Sequence, residues 1–427
     1  MPSVALCAGG AVIGAATIAL AWFQPGMGTP AFMAVVLAAT AGYLLAIASL
    51  AARASVSAGL IAVCLVSAAV WRAPLVGASG AYSTDTIRYV WDARVQRAGL
   101  SPYRTRPDDP ATAHLHSPLT DAIDAPWLPT IYPPVAQLYF RVVTAFEESP
   151  RAFRVAGMVL DLGVSLALWA GLVASGRAAG WVLLYAWHPL VPLEAILGGH
   201  LDIAGVLALT VSWLALVRRW PAVAALSFTA AVLIKPLPLV LAPLYWRRVG
   251  VRHVLLGAAF AVAATVAVPG GALPVGSMPD FVDTFRFNGP VFGAVASLIG
   301  ARAAAAAALV VGLLVALQLR WRRPREAADA WAWPLAAALL CAPVIYPWYL
   351  LWLLPFLTSR SSLPVAAWTL SIAAVYPVWA RAAGDPWAVP PGLMALEFVA
   401  PALACLVLGV RPLTQGWRRW VKNQGSG

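Results

Sequence analysis

Asp85, Arg88, Tyr89 and Asp92 stand at i, i+3, i+4 and i+7 in the segment that runs from Tyr82 to Gln96. On a helix these four side chains share one face. A carboxylate on such a face can take a proton from a hydroxyl within hydrogen-bond reach. A guanidinium matches phosphate oxygens two at a time. The same face would equally serve as solvated surface with internal Asp–Arg pairs, and spacing alone leaves both readings open. Lys235 lies in the apolar run Val232-Leu233-Ile234-Lys235-Pro236. A charge there is costly and points to function, unless the side chain snorkels to a nearby interface. His200 and Asp202 occupy the turn Gly198-Gly199-His200-Leu201-Asp202, and Glu194 lies just upstream. Asp202 reads either as a helix cap or as a ligand contact. Arg88, Arg94 and Lys235 are the cations available to a developing negative charge.

Other polar residues carry less. His114 and His116 lie near Asp108, Asp109 and Asp121, but the spacing is not that of a metal site and a solvated loop is the expectation. Asp161 and Glu397 sit alone in apolar stretches and read as paired polar groups inside a bundle. Cys7, Cys64, Cys341 and Cys405 also lie in apolar stretches and read as small buried hydrophobes. No glycine-rich nucleotide loop is present, so a nucleotide-linked substrate is not indicated. No metal or other cofactor is expected.

The elements that must position these residues are set by composition. Of 427 residues, 61% are hydrophobic and 11% are charged, against about 25% charged in soluble domains. That excludes a water-soluble globular enzyme and a disordered chain, and leaves a polytopic membrane protein. The net charge of +12 comes from short basic runs between apolar segments, such as Arg218-Arg219 and Arg247-Arg248. This is the positive-inside pattern, not a nucleic-acid surface. Apolar segments occur at 4–23, 31–51 and 57–75, and again from 153–175 to 393–411. The first reads as a retained helix, because it lacks the basic leader of a signal peptide. Several segments are short or split by proline, so about 11–14 spans are expected. The fold class is therefore all-α: one transmembrane helix bundle over residues 1–427, with a large loop at 76–150.

That loop holds eight of the 17 acidic residues, and an irregular loop of this size is usually functional. If the basic clusters face the cytoplasm, the loop, the turn at His200 and the segment Tyr346-Pro347-Trp348-Tyr349 all fall outside. This arrangement requires residues 131–146 to form an amphipathic helix that lies on the interface without crossing.

The loop reads D-x-x-R-Y-x-W-D-x-R-V-Q from Asp85 to Gln96, G-x-x-P-Y ending at Tyr103, and T-I-Y-P-P-x-x-Q from Thr130 to Gln137. These motifs resemble the first external loop of bacterial GT-C glycosyltransferases, most closely the actinobacterial mannosyltransferases that use polyprenol-phosphate mannose. The segment P-L-V-P-L-E-A-I-L-G-G-H-L-D ending at Asp202 is similar to another motif of that group, with Leu201 where Asn is common. Lys235-Pro236-Leu237-Pro238 and Tyr346-Pro347-Trp348-Tyr349-Leu350 also resemble family features.

The resemblance implies an inverting sugar transfer from a polyprenyl-phosphate donor, most readily mannose, to a glycolipid or glycan acceptor. It would take place at the outer face of the cytoplasmic membrane, among membrane lipids and without nucleic acid. Asp85 matches the catalytic base. Arg88, Tyr89, Asp92, Arg94, Lys235, His200 and Asp202 would contact the donor phosphate or sugar. Gln96, Tyr103, Tyr132, Gln137, Glu194, Tyr346, Trp348 and Tyr349 would line the substrate cavity. Other readings are a polyprenyl-phosphate arabinofuranosyltransferase, a transporter or flippase of envelope precursors, and a non-catalytic assembly factor. Dispensability of Asp85 would separate the last two from an enzyme.

Overall fold

The computed structural model describes residues 2–52, 56–79, 82–322, 327–382, 385 and 387–424. Helices α1 (Pro2–Phe23) and α2 (Pro30–Ala51) form a hairpin, and α3 (Ala58–Arg72) follows. Thr29 and Ser57 cap α2 and α3 by accepting from backbone amides three residues on. The polar loop contains α4 (Asp85–Arg97) and α5 (Pro134–Val143). Helix α6 (Pro150–Ala174) is capped by Ser149 and returns to apolar sequence.

A broken element comes next. The short α7 (Leu183–Ala186) and a π-helical turn, Val191–Leu197, follow one another with a bend of 63° over residues 179–197. After it come α8 (Asp202–Val217), α9 (Pro221–Val232), a 3-10 stretch Leu237–Tyr245, α10 (Val251–Val266), α11 (Met278–Thr284), α12 (Pro290–Ile299) and α13 (Ala301–Arg322). The chain closes with α14 (Asp329–Leu340), a 3-10 stretch Pro347–Phe356, α15 (Leu363–Ser371) running into 3-10 residues Ile372–Ala380, and α16 (Pro391–Gln424).

Among the described residues, 7 helices are long and apolar enough to cross a membrane, or 8 if the bent pair counts as one span. Hydropathy segments outnumber these helices because proline cuts several of them. Pro243 and Pro355 sit inside 3-10 stretches, where the missing amide and fixed φ interrupt a continuous α-helix. The pieces are short apolar helices and 3-10 turns packed within the bundle.

Charges inside the bundle are answered. Asp161 accepts from Arg72 at 2.5 Å and from the Tyr185 hydroxyl at 2.9 Å. Glu397 accepts from Asn288 at 2.7 Å and from the Trp368 indole at 2.6 Å. Removing one member of a buried ion pair such as Arg72–Asp161 typically costs about 3–5 kcal/mol.

The loop is built on α4 and α5. At about 1.5 Å per residue, α5 is too short to cross a bilayer. Its Ala136, Gln137, Phe140 and Val143 are buried, while Arg141 and Val142 are exposed. One side of α4 packs Ile87, Trp91 and Val95 against Ile123 of the loop. Its other side stacks Tyr89 on Phe140 of α5, with ring centroids 4.3 Å apart. Polar bonds fix the register. Asp92 accepts from Thr130 at 2.5 Å and from Gln137 at 2.8 Å, and the Gln96 amide donates to Gln137 at 2.8 Å. Arg94 and Arg97 both reach Glu148.

Gly199 sets the turn that brings the start of α8 against α4. Its φ of +65° is left-handed, and a Cβ there would lie 3.0 Å from the Thr86 methyl. A side chain in this conformation costs roughly 1–2 kcal/mol before any clash. Gly199→Ala is expected to lower thermal stability and to disturb the turn carrying His200. Gly59→Ala, with nothing within 4 Å of the new methyl, is expected to leave thermal stability unchanged. Melting of the two purified variants in detergent checks the pair; equal melting temperatures would contradict the role given to Gly199.

Candidate active site

Asp85 is the first residue of α4, where the helix dipole favours a carboxylate. Its side chain is about a third exposed (32%) and faces a cavity of about 410 Å³. The polar end of that cavity carries Asp85, Arg88, Asp124, Asp202 and Lys235, walled by Tyr132, Tyr346, Trp348 and Tyr349. The rest of the lining is largely apolar and includes Phe281, Val282, Phe285, Ala305, Ala308, Leu309 and Leu339. Phe281 and Val282 belong to α11. Ala305, Ala308 and Leu309 belong to α13, one of the helices long and apolar enough to span a membrane.

Two charge clusters meet at the polar end. In the first, His200 is 1% exposed and lies between carboxylates. Its Nδ1 is 3.3 Å from Asp85 Oδ2, and its Nε2 is 3.2 Å from Glu194 Oε2. Glu194 comes from the π turn, a distortion that often marks functional positions, and its second oxygen accepts from the Tyr376 hydroxyl. The imidazole stacks on Trp348 with centroids 4.0 Å apart and planes 11° apart. Burial works to lower the His200 pKa, but hydrogen bonds to Asp85 and Glu194 and their charges carry it up to about 9. In the second cluster, Lys235 Nζ lies 2.7 Å from Asp202 Oδ1 and 3.3 Å from the centre of the Tyr349 ring. The Trp352 indole donates to the same Asp202 oxygen at 2.6 Å. Trp352 reaches it because α8 has Gly205 there; a Cβ at Gly205 would overlap the indole ring.

The residues singled out from sequence fall into three groups. Asp85, Arg88, Asp202, Lys235, Tyr132, Tyr346, Trp348 and Tyr349 line the cavity. His200, Glu194 and Tyr89 form the buried layer behind it. Asp92, Arg94, Gln96, Gln137 and Tyr103 are not among the lining residues. The first four hold α4 to the rest of the loop, and Tyr103 packs beside Gly276. Burial pushes the Asp92 pKa up, while Arg88 and the bonds from Thr130 and Gln137 hold it down. Arg88 lines the cavity but also donates to the carbonyls of Leu128, Asp124 and Ala125, so it clamps residues 124–128 as well.

Three residues were missed. Asp124, bonded to the Thr84 hydroxyl, is one of many acids in the loop. Trp352 follows the aromatic run at Tyr346. Tyr376 lies in an apolar stretch with no local motif, and only its partner Glu194 could have hinted at it.

Membrane-length apolar helices with a cavity partly lined by charged residues define a polytopic helical membrane protein with a candidate catalytic carboxylate. The chain belongs to the MptA_B family: the family's sequence model, described as alpha-(1->6)-mannopyranosyltransferase, N-terminal domain, matches residues 2–249. It is thus a mannosyltransferase of GT-C type. Comparison with curated proteins and with solved structures returned no match. The matched region contains Asp85, Glu194, His200, Asp202 and Lys235, whereas Tyr346, Trp348, Trp352 and Tyr376 lie beyond it.

The raised His200 pKa has a consequence for stability. A group protonated more readily when folded contributes fully below its unfolded value, about 6.5, and loses that contribution as pH rises through about 9. The melting temperature of the wild type is therefore expected to fall over this window relative to His200→Gln. Parallel curves for the two proteins from pH 6 to pH 10 would contradict it.

Proposed function

We propose that this protein takes mannose from a polyprenyl-phosphate donor and transfers it, with inversion, to a hydroxyl of a glycolipid or glycan at the outer face of the cytoplasmic membrane. Membership of the mannosyltransferase family supports the sugar and the reaction class. The observation that carries the donor assignment is the lining of the cavity. Charged residues share it with apolar residues, some of them on a membrane-length helix, which suits a sugar phosphate joined to a long hydrocarbon chain. A nucleotide sugar has no long apolar part to match that lining.

In this reading Asp85 takes the proton of the acceptor hydroxyl as its oxygen attacks the anomeric carbon. The bond from that carbon to the phosphate oxygen breaks, and the lipid phosphate leaves with the electron pair. Lys235, already beside Asp202, and Arg88 supply positive charge where negative charge grows on the phosphate. Tyr346, Trp348 and Tyr349 form the aromatic wall around the sugar. Residues 76–150 act as the catalytic loop of a single transmembrane domain. The outward placement of that loop is supported by the distribution of basic runs.

Purified protein with polyprenyl-phosphate mannose and a membrane lipid extract is expected to form a mannosylated product. Asp85→Asn should lower kcat by about 10²–10⁴-fold without loss of folding. Turnover of the variant at the wild-type rate would sink the assignment of the base. Transfer from a nucleotide sugar but not from the lipid donor would sink the donor.

The face can be tested separately. Pro118 is exposed in the loop. In a variant lacking the native cysteines, Pro118→Cys should react with an impermeant thiol reagent on intact cells. Labelling only after permeabilisation would place the loop on the cytoplasmic side.

A further inference from the structure

Behind Asp85 runs a line of buried groups that the transfer chemistry above does not use. It runs from Asp85 through the imidazole of His200 to Glu194 and ends on the phenol of Tyr376. Every member after Asp85 is buried. The members come from four separate elements: α4, the Gly198-Gly199 turn, the π turn and the last 3-10 stretch. Chain segments this far apart do not meet by local preference. Burying two carboxylates and an imidazole is costly unless each has its partner. A simple structural peg would need only one carboxylate against the ring.

We propose that Glu194, acting through His200, is a positioning residue for Asp85, and that Tyr376 holds Glu194 in the orientation this requires. The inference rests on Asp85 being the base. Nδ1 of His200 lies 3.3 Å from Asp85 Oδ2, so the imidazolium charge sits beside one carboxylate oxygen and the other is left for the acceptor hydroxyl. With Nε2 on Glu194, the ring cannot rotate away, and it stays protonated and opposite in charge to Asp85. Trp348 covers one face of the ring, which suits a cation. No bond to substrate is made by His200, Glu194 or Tyr376. The other titratable groups packed around the line are Tyr89 on α4, Asp202 at the start of α8, Lys235 after α9, and Tyr349 beside Trp348. Lys235 is paired with Asp202, and Asp85 and Glu194 are the charges that act on the imidazole.

The test is the pH dependence of kcat/KM with polyprenyl-phosphate mannose, measured on the full-length protein and on three variants. In the wild type, activity should fall at high pH as the imidazole loses its proton. Glu194→Gln keeps the size of the side chain and one acceptor oxygen but removes its charge. The alkaline limb should then move down by about one unit or more, with kcat reduced and KM for the donor unchanged. Tyr376→Phe should move the limb less and in the opposite sense, because Glu194 loses a donor and leans more heavily on His200. His200→Gln should abolish the alkaline limb.

A merely structural role would lower activity equally at every pH and leave both limbs in place; that outcome in Glu194→Gln overturns the inference. Should Glu194→Gln fail to fold, the Tyr376→Phe profile decides, and limbs identical to the wild type overturn it. Asp85→Asn separates the two levels of the argument. Full activity in that variant defeats the base assignment. Its inactivity together with an unshifted Glu194→Gln profile defeats the positioning inference alone.

Discussion

Charge that is taken out of water must find opposite charge, and the construction of this site follows from that constraint. Asp85, Glu194, Asp202, His200 and Lys235 are gathered in one region of a protein whose residues are only 11% charged. Each has a partner close by: His200 lies between Asp85 and Glu194, and Lys235 lies against Asp202. The pairings dictate backbone form. The π turn places Glu194 under the imidazole, and the left-handed Gly199 turns the chain so that His200 and Asp202 point to α4. Gly205 makes room for the Trp352 indole on Asp202. In water such pairs contribute little. Here His200, Glu194 and Asp202 are buried, and geometry that misplaced any one of them would leave a bare charge.

The cavity wall depends in turn on the polar ladder between α4 and α5. Asp92, Thr130, Gln137 and Gln96 bond to one another at the buried seam. Backbone amides of Val135 and Ala136 reach the carbonyl of Leu233, just before Lys235. The loop is thereby tied to the end of α9, and Asp85 and Lys235 are held on facing sides of one space. The family motif around Asp85 thus includes residues that build the support of the carboxylate as well as residues that face the cavity.

Much of this arrangement was legible in the sequence, for identifiable reasons. Low charge and long apolar segments define a membrane bundle. The i, i+3, i+4 spacing finds α4, and a lysine in an apolar run is conspicuous. The amphipathic pattern from residue 131 marks α5. Spacing could not show which face of α4 turns inward. Asp85 and Arg88 reach the cavity, while Asp92, one turn on, is fully engaged by Thr130 and Gln137. Nor could hydropathy separate full spans from proline-broken pieces, because both are apolar and differ only in backbone hydrogen bonding. Tyr376 was invisible because its function as a partner is defined by Glu194, which is 182 residues away.

That separation bears on how the protein is made. Glu194 and Asp202 enter the membrane region well before Tyr376 and Trp352 are synthesised, 182 and 150 residues later. At about 5–20 residues per second, the gap between Glu194 and Tyr376 lasts on the order of 10–40 s. During that time the nascent bundle holds carboxylates that lack their final donors, in surroundings where unmatched polar groups are strongly disfavoured. His200 and Lys235, which emerge within that interval, are the nearest available counter-charges. The same ion pairs that shape the finished site therefore shelter an unfinished chain, and the aromatic residues of the last quarter close a structure whose carboxylates already have a cation beside them.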